Sequence, residues 1–299
     1  MGTFVRDSAS KLFTVGLTNV IVDIQKMWNP IYQQIFSVKS STKKDETDFS
    51  MYGILSIPQV GENENFDIED VNTGYEKVYT HLKYGLILRY SREAKDDELY
   101  GFVNRMPGFL TKAMQYTVEA SGANVLDTLD STTGADGVYL LATNHPSLDG
   151  TRANKPTVDA DLGYTTLENA RLAILARKSW EGHPIITPDK LRLVVPTALE
   201  PMARKLLLTD GQPFSADNTI NYLKGMFEPL IHPFMTDSNR WLLIPKPSGY
   251  GFVWYWRDKP SMKEWVDDNN DSTSIRNRAR WSNGVTQWEE AVPYGSVGA

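Results

Sequence analysis

The stretch Asn144–Gly150, NHPSLDG, sets a histidine four residues before an aspartate. A carboxylate that orients an imidazole makes a general base, provided the two side chains come within hydrogen-bond reach. Pro146 stiffens the intervening turn and works against that approach, so a surface turn is the plainer expectation for His145 and Asp149. Asp159–Gly163, DADLG, offers carboxylates to a hard divalent cation, but the spacing of a calcium loop does not follow. The four histidines, His81, His145, His183 and His232, are scattered without metal-ligand spacing. The chain has no cysteine, which removes disulfides and thiolate metal sites together. It also has no Gly-rich phosphate loop, no Gly-x-Ser-x-Gly elbow and no dinucleotide fingerprint. No catalytic, cofactor-binding or metal-binding residue is assigned, and no cofactor is expected.

The remaining constellation carries charge. Read as a strand, RNRARW sends Arg276, Arg278 and Arg280 to one face and Ile275, Ala279 and Trp281 to the other. The chain as a whole is acidic, with a formal net charge of −6. That balance excludes nucleic-acid binding over the whole surface, because phosphate contact is driven by lysine and arginine, but it leaves room for a local basic face. The opposite charge gathers in Pro58–Glu76, which holds Glu62, Glu64, Asp67, Glu69, Asp70 and Glu76 and no lysine or arginine. The arginine row therefore has three possible destinations: the acidic segment of another copy, carboxylates of its own subunit, or nucleic acid.

The elements that must position these groups follow from periodicity. With 299 residues, 41% hydrophobic and 23% charged, the chain has ample material for a core and suits two modest domains or one elaborated domain. No apolar run approaches the ~20 residues that span a bilayer, and the N-terminus has neither a secretory pattern nor a hydroxyl at the acylation position, so a cytosolic protein without membrane contact is expected. Residues 11–36 repeat apolar positions at helical spacing, with Asn29-Pro30 as N-cap and first helical residue, giving two short helices that meet at a bend. Residues 49–60 and 75–91 read as strands flanking the acidic link, together a long hairpin. A helix follows, capped by Asp96 or Asp97 and kinked or loosened at Pro107-Gly108.

Further along, GVYLLAT (137–143) reads as a strand, Thr166 caps a helix, and KLRLVVPTALEPMARKLLL reads as strand, proline stop and helix. Three strands are expected between 226 and 256. The last of them, YGFVWYWR, is apolar on both faces, which suits the centre of a sheet or an interface. Residues 273–282 and 285–291 form a closing pair, joined at Asn283-Gly284, the dipeptide best suited to a type I′ turn.

The succession GVYLLATNHPS, TTLENARLAILARKSWEGHPI, PDKLRLVVPTALEPMARKLLLTD, SNRWLLIPKPSGYGFVWYWRDKP and RWSNGVTQWEEAVPYGS resembles the major head (capsid) subunit of tailed bacteriophages, in particular the Mu-like group. The likeness covers roughly residues 90–299, and residues 1–89 match only in layout. The acidic hairpin and the aromatic strand at 250–256 depart from the pattern. The resemblance implies an α+β fold with four parts. These are an N-terminal arm (1–44), an extended loop (45–92), a peripheral domain with a long spine helix near 96–121 (93–149 and 263–299), and an axial domain with a mixed or antiparallel sheet (150–262). It implies a structural, non-enzymatic subunit that self-assembles as hexamers and pentamers into an icosahedral shell around double-stranded DNA. The partners implied are a separate scaffolding protein, a portal and a decoration protein, with assembly in the host cytoplasm and residence in the virion. Some relatives cross-link through Lys and Asn side chains, and Lys77 and Lys83 lie in the corresponding loop. Within this frame, Glu62, Glu64, Asp67, Glu69 and Asp70 of one copy are expected to face Arg276, Arg278 or Arg280 of another. The alternatives are an encapsulin-like cellular shell of the same fold, and an acyltransferase-like enzyme using His145 and Asp149, whose spacing is one residue short of the acyltransferase box.

Overall fold

The structure, a computed structural model, describes residues 28–52, 57–68, 72–97, 102–185, 190–214, 219–247, 251–291 and 294–298. Its elements begin with α1 (Tyr32–Ile35), β1 (Ser37–Ser40), β2 (Asp45–Tyr52), β3 (Asn72–Thr80), β4 (Leu82–Tyr90), α2 (Arg92–Asp96) and α3 (Phe102–Asp127). Next come β5 (His145–Ser147), β6 (Gly150–Arg152), α4 (Tyr164–Leu175), β7 (Leu191–Val195), α5 (Glu200–Leu208), β8 (Phe227–Ile231) and β9 (Trp241–Ile244). The chain closes with β10 (Phe252–Asp267), β11 (Ser272–Val285), α6 (Trp288–Ala291) and β12 (Tyr294–Ser296).

The period-two pattern of β10 explains the first sheet, ordered β1-β10-β11-β4. Phe252, Trp254 and Trp256 face α3 and pack with Tyr32, Phe36, Val118 and Trp281. Trp254 is fully buried, with ring centroids 4.7 Å from Tyr32, 5.6 Å from Phe36 and 5.7 Å from Trp281. On the other face Val253 and Tyr255 pack against Tyr79 of the hairpin β2–β3. Both faces are covered, so an uninterrupted aromatic run is stable at the sheet's centre.

The second sheet, β12-β9-β7-β8, pairs β7 parallel to β8 and antiparallel to β9. One face packs on α4 and α5 through Leu167, Ala170, Leu206 and Leu207, and the other shares a core with α3 through Val194, Leu242 and Ile244. Buried Arg240 ties the two halves: it donates to the Leu126 carbonyl of α3 and pairs with Asp130 at 2.8 Å and Asp237 at 3.2 Å. The mixed sheets and segregated helices bear out the α+β expectation.

Several local expectations change in the structure. The first helix expected in 11–36 lies outside the described residues. The second is the single turn α1, which begins after Ile31 rather than at Asn29. Its cap comes from afar: the buried Glu119 carboxylate accepts from the Ile31 and Tyr32 amides at 2.9 and 3.1 Å. Burial pushes the Glu119 pKa up against those hydrogen bonds. Asp96 ends the short α2, whose cap is Ser91 accepting from the Ala94 amide at 3.2 Å. The long helix α3 starts later and runs through Pro107. Thr166 sits inside the first turn of α4 and its hydroxyl accepts from the Gly163 amide at 2.7 Å.

Residues 137–143 form no continuous strand: Tyr139 makes an isolated antiparallel bridge to Thr133, and beyond it the Asn154 side chain serves the backbone. Its Oδ1 accepts from Ala142 N at 2.8 Å and its Nδ2 donates to Leu140 O at 2.7 Å. Asn283-Gly284 makes no turn. β11 runs through it in register with Val253 and Trp254 of β10. Asn283 Nδ2 donates to Ser121 O of α3 at 3.0 Å, and a Cβ on Gly284 would lie 2.8 Å from the Tyr79 ring. The glycine serves close approach of the β2–β3 hairpin, and β11 pairs with β10 on one side and β4 on the other.

Candidate intersubunit interface

The alternation expected of β11 is present. Ile275, Ala279 and Trp281 are buried towards α3, where Asn277 Nδ2 donates to Leu110 O at 3.3 Å and Trp281 Nε1 to Ser121 Oγ at 3.1 Å. Arg276, Arg278 and Arg280 occupy the opposite face, away from the spine helix, and are half-buried. Flanking strands add two lysines and one carboxylate to this surface: Arg276 stands between Lys263 and Ile87, Arg278 between Ser261 and Gly85, and Arg280 between Asp258 and Lys83.

Partners for the arginines are few. Arg278 pairs with Asp258 at 3.0 Å, the side chains being 38% and 41% exposed, which holds the pair to about 0–1 kcal/mol. The Arg276 guanidinium lies 6.0 Å from the Trp265 ring centroid, the outer limit of a cation–π contact. Among the described residues neither Arg276 nor Arg280 makes an ion pair, and Nε of both Arg276 and Arg278 is buried without an acceptor. Beside them an open cleft of about 510 Å³ is lined by Lys83, Tyr84, Gly85, Leu86, Ile87, Arg276 and Arg278. Guanidinium and ammonium groups around an open cleft suit an anionic occupant.

The acidic counterpart is carried by β2–β3. Glu62, Glu64 and Asp67 are exposed, with Glu64 folded back so that Gly61 N donates to its carboxylate at 2.9 Å. Glu69 and Asp70 lie outside the described residues. Exposed Phe66 and Ile68 alternate with the carboxylates.

A polar clasp orients the hairpin. The Tyr255 hydroxyl lies 2.7 and 2.8 Å from the two Asp48 oxygens and donates to that carboxylate, and Thr286 Oγ1 donates to Asp48 at 3.0 Å. The Tyr79 hydroxyl stands 2.8 Å from Thr286 Oγ1. Burial, and then the adjacent carboxylate, drives the Tyr255 pKa far up. At the joint between β3 and β4, buried His81 bridges Ser41 and Ser282 at 3.0 Å each, and Lys77 Nζ donates to the Thr133 carbonyl at 2.8 Å.

His145 is no surface residue, which corrects the expected turn. It is fully buried, stacked on Trp288 at 3.9 Å, and bonded through Nδ1 to Asp136 at 2.6 Å. Asp149 sits at the β5–β6 turn and pairs with Arg152, so the His145–Asp149 dyad does not form. The carboxylate that holds His145 comes from nine positions upstream, where spacing gave no signal. Likewise Asp48 and Glu119 act on partners 207, 238 and 87 positions away, beyond any local motif.

The fold is that of a tailed-phage capsid subunit: a long helix across a four-stranded sheet, a hairpin clasped on that sheet's other face, and a second sheet with its own helices. The phage capsid protein family matches residues 74–293, and the chain belongs to that family. It is a major capsid protein, a structural component of the virion shell. No curated protein sequence matches it. In fold it is similar to the capsid protein of bacteriophage JBD30, at 17% identity over 70% of this chain and 92% of that one, with a TM-score of 0.55. It is similar also to the capsid of Ralstonia phage GP4, at 10% identity over 89% and 86% of the two chains and a TM-score of 0.58. The capsid of Cyanophage P-SCSP1u is comparable, at 10% identity over 87% and 86% and a TM-score of 0.57.

Proposed function

We propose that copies of this chain assemble as hexamers and pentamers into an icosahedral head enclosing double-stranded DNA, with the acidic loop of one copy against the arginine face of its neighbour. The observation that carries the reading is the separation of charge within one subunit. Arg276 and Arg280 lack ion-pair partners among the described residues, while the loop bearing Glu62, Glu64 and Asp67 is exposed and holds no cation. Glu69 and Asp70 extend the acidic series in sequence.

Exposed pairs contribute about 0–1 kcal/mol each and are screened beyond ~8 Å at physiological salt. They set register and steer encounter, while burial of large apolar side chains, about 1.5–3 kcal/mol each, drives association. A separate scaffolding protein and a portal complete assembly in the host cytoplasm, and DNA meets the inner wall without sequence preference. One capsid of similar fold, that of JBD30, is decorated with minor capsid protein trimers, which supports a decoration partner here as well.

Arg280→Glu tests the reading. It is expected to prevent shell formation at physiological salt, and Asp67→Lys in the same chain to restore it. Normal shells from the single variant would overturn the pairing. Arg278→Glu is the poorer probe, because it also breaks an ion pair with Asp258 within one subunit.

A further inference from the structure

We infer that His81 is a proton-operated lock at the root of the β2–β3 hairpin: as a neutral imidazole it fastens that root to β11 and to the segment after β1, and as a cation it lets the root open. The lock works within a single subunit, apart from assembly. His81 is the one residue between β3, which pairs with β2, and β4, which pairs with β11. It therefore sits where the chain passes from the hairpin into the first sheet. The ring is buried, with Nε2 3.0 Å from Ser41 Oγ and Nδ1 3.0 Å from Ser282 Oγ. Ser41 is itself anchored to β10: its amide donates to Trp256 O at 2.9 Å, and its carbonyl accepts from Arg257 Nη1 at 3.3 Å.

The serine hydroxyls fix the tautomer, since each has one proton to give and two lone pairs. Ser41 gives its proton to the Glu46 carboxylate and accepts from the Lys43 amide at 3.2 Å. Towards His81 it can only accept, so Nε2 carries the ring proton. Nδ1 is then the bare nitrogen and accepts from Ser282 Oγ. A second proton has to go on Nδ1, which turns that acceptor into a donor. Ser282 is buried as well, so its hydroxyl proton loses its acceptor, and an unmade buried hydrogen bond is costly.

The charges around the ring are mixed. Arg280 shares the β11 face of Ser282, with Lys83 of β4 opposite it, and Arg257 reaches in from β10. Glu46 and Asp45 of β2 offer carboxylates, each shared with a lysine, Lys43 at 3.5 Å and Lys44 at 3.7 Å. Lys77 of β3 is engaged with the Thr133 carbonyl, and Asp48 of β2 with Tyr255 and Thr286. Burial is the largest influence on the imidazole. Glu46 opposes it, Arg280 and Arg257 add to it and Asp45 opposes it again, with the balance below the ordinary 6.5. An opened joint regains the ordinary value and so takes up the proton first as pH falls. The lock is complete above pH 6.5 and is lost as pH drops through the lower folded value.

Native-state hydrogen exchange of the free subunit between pH 7 and 5 tests the lock. Exchange is expressed as protection, which divides out the intrinsic pH dependence of amide chemistry. The opening equilibrium of residues 41–46 and 79–82 is expected to rise by up to about tenfold per pH unit below 6.5 in the unaltered chain. H81Q keeps a donor and an acceptor at the joint and takes up no proton, so its opening is expected to stay level with pH. An equal slope in H81Q, or no slope in the unaltered chain, overturns the proposal. Heteronuclear NMR of the imidazole nitrogens in the unaltered chain serves where H81Q does not fold. His81 is expected to carry its proton on Nε2 at neutral pH and to titrate below 6.5. A proton on Nδ1 instead, or a midpoint at or above 6.5, overturns the proposal equally.

Discussion

Replacing Asp48 by alanine removes the acceptor at the centre of the clasp that holds β2–β3 on the first sheet. Two donors lose it, the Tyr255 hydroxyl at 2.7–2.8 Å and Thr286 Oγ1 at 3.0 Å. Hydrogen bonds to a charged acceptor contribute about 1.5–3 kcal/mol each, and the donors regain water once the hairpin lifts, so the lower end applies to both. The expected loss is about 3 kcal/mol in hairpin docking, or about a hundredfold in its opening equilibrium at 1.4 kcal/mol per tenfold. Tyr79 still bonds Thr286 and still packs over Gly284, so the hairpin loosens without detaching. Native-state hydrogen exchange reads this directly. Amides of β2 and β3 are expected to exchange about a hundredfold faster in D48A, with those of β10 little changed. D48N keeps one carbonyl acceptor and should fall between the two. Identical β2–β3 exchange in D48A and the unaltered chain would refute the clasp.

Trp254→Ala empties the centre of the larger core and should cost about 3–5 kcal/mol in chemical denaturation of the dissociated subunit; a loss below about 1 kcal/mol would contradict the packing of its ring against Tyr32, Phe36 and Trp281. His232 is fully buried, neither ring nitrogen has a partner among the described residues, and burial lowers its pKa from 6.5 to about 4, with Asp127 opposing. The unfolded chain then binds the proton first as pH falls, so this stability is present above pH 6.5 and is lost on the way down to about pH 4. The loss amounts to about 3 kcal/mol, and His232→Leu should flatten that part of the stability–pH curve. An unchanged slope in the variant would assign the acid sensitivity elsewhere.

Much of the architecture was legible because it depends on neighbours in sequence. Strand β7, the stop at Pro196 and helix α5 follow from a short apolar run and then a helical period. The two-sided apolar character of 252–256 marked a central strand, and the arginine row kept its alternation. Residues whose role is set by distant partners were not legible. Gly284 carries a turn signature, yet its need for a small residue comes from Tyr79, a contact across 205 positions by number. His145 has an aspartate at a suggestive spacing and binds a different one. The α1 cap is a glutamate 88 residues downstream, which no capping pattern can register. The candidate interface was half legible: composition exposed both charge clusters, whereas Lys83 and Asp258 beside Arg280 required the sheet order.

Electron cryo-microscopy of shells formed by the chain with its scaffolding protein tests the central claim most directly. The account predicts a closed icosahedral shell of hexamers and pentamers, with residues 57–68 of each subunit resting on the β4–β11 face of a neighbour beside Arg276 and Arg280. Shells in which that loop stands free or folds on its own subunit would contradict the proposed interface, and a chain that stays monomeric with its scaffold would contradict the account as a whole.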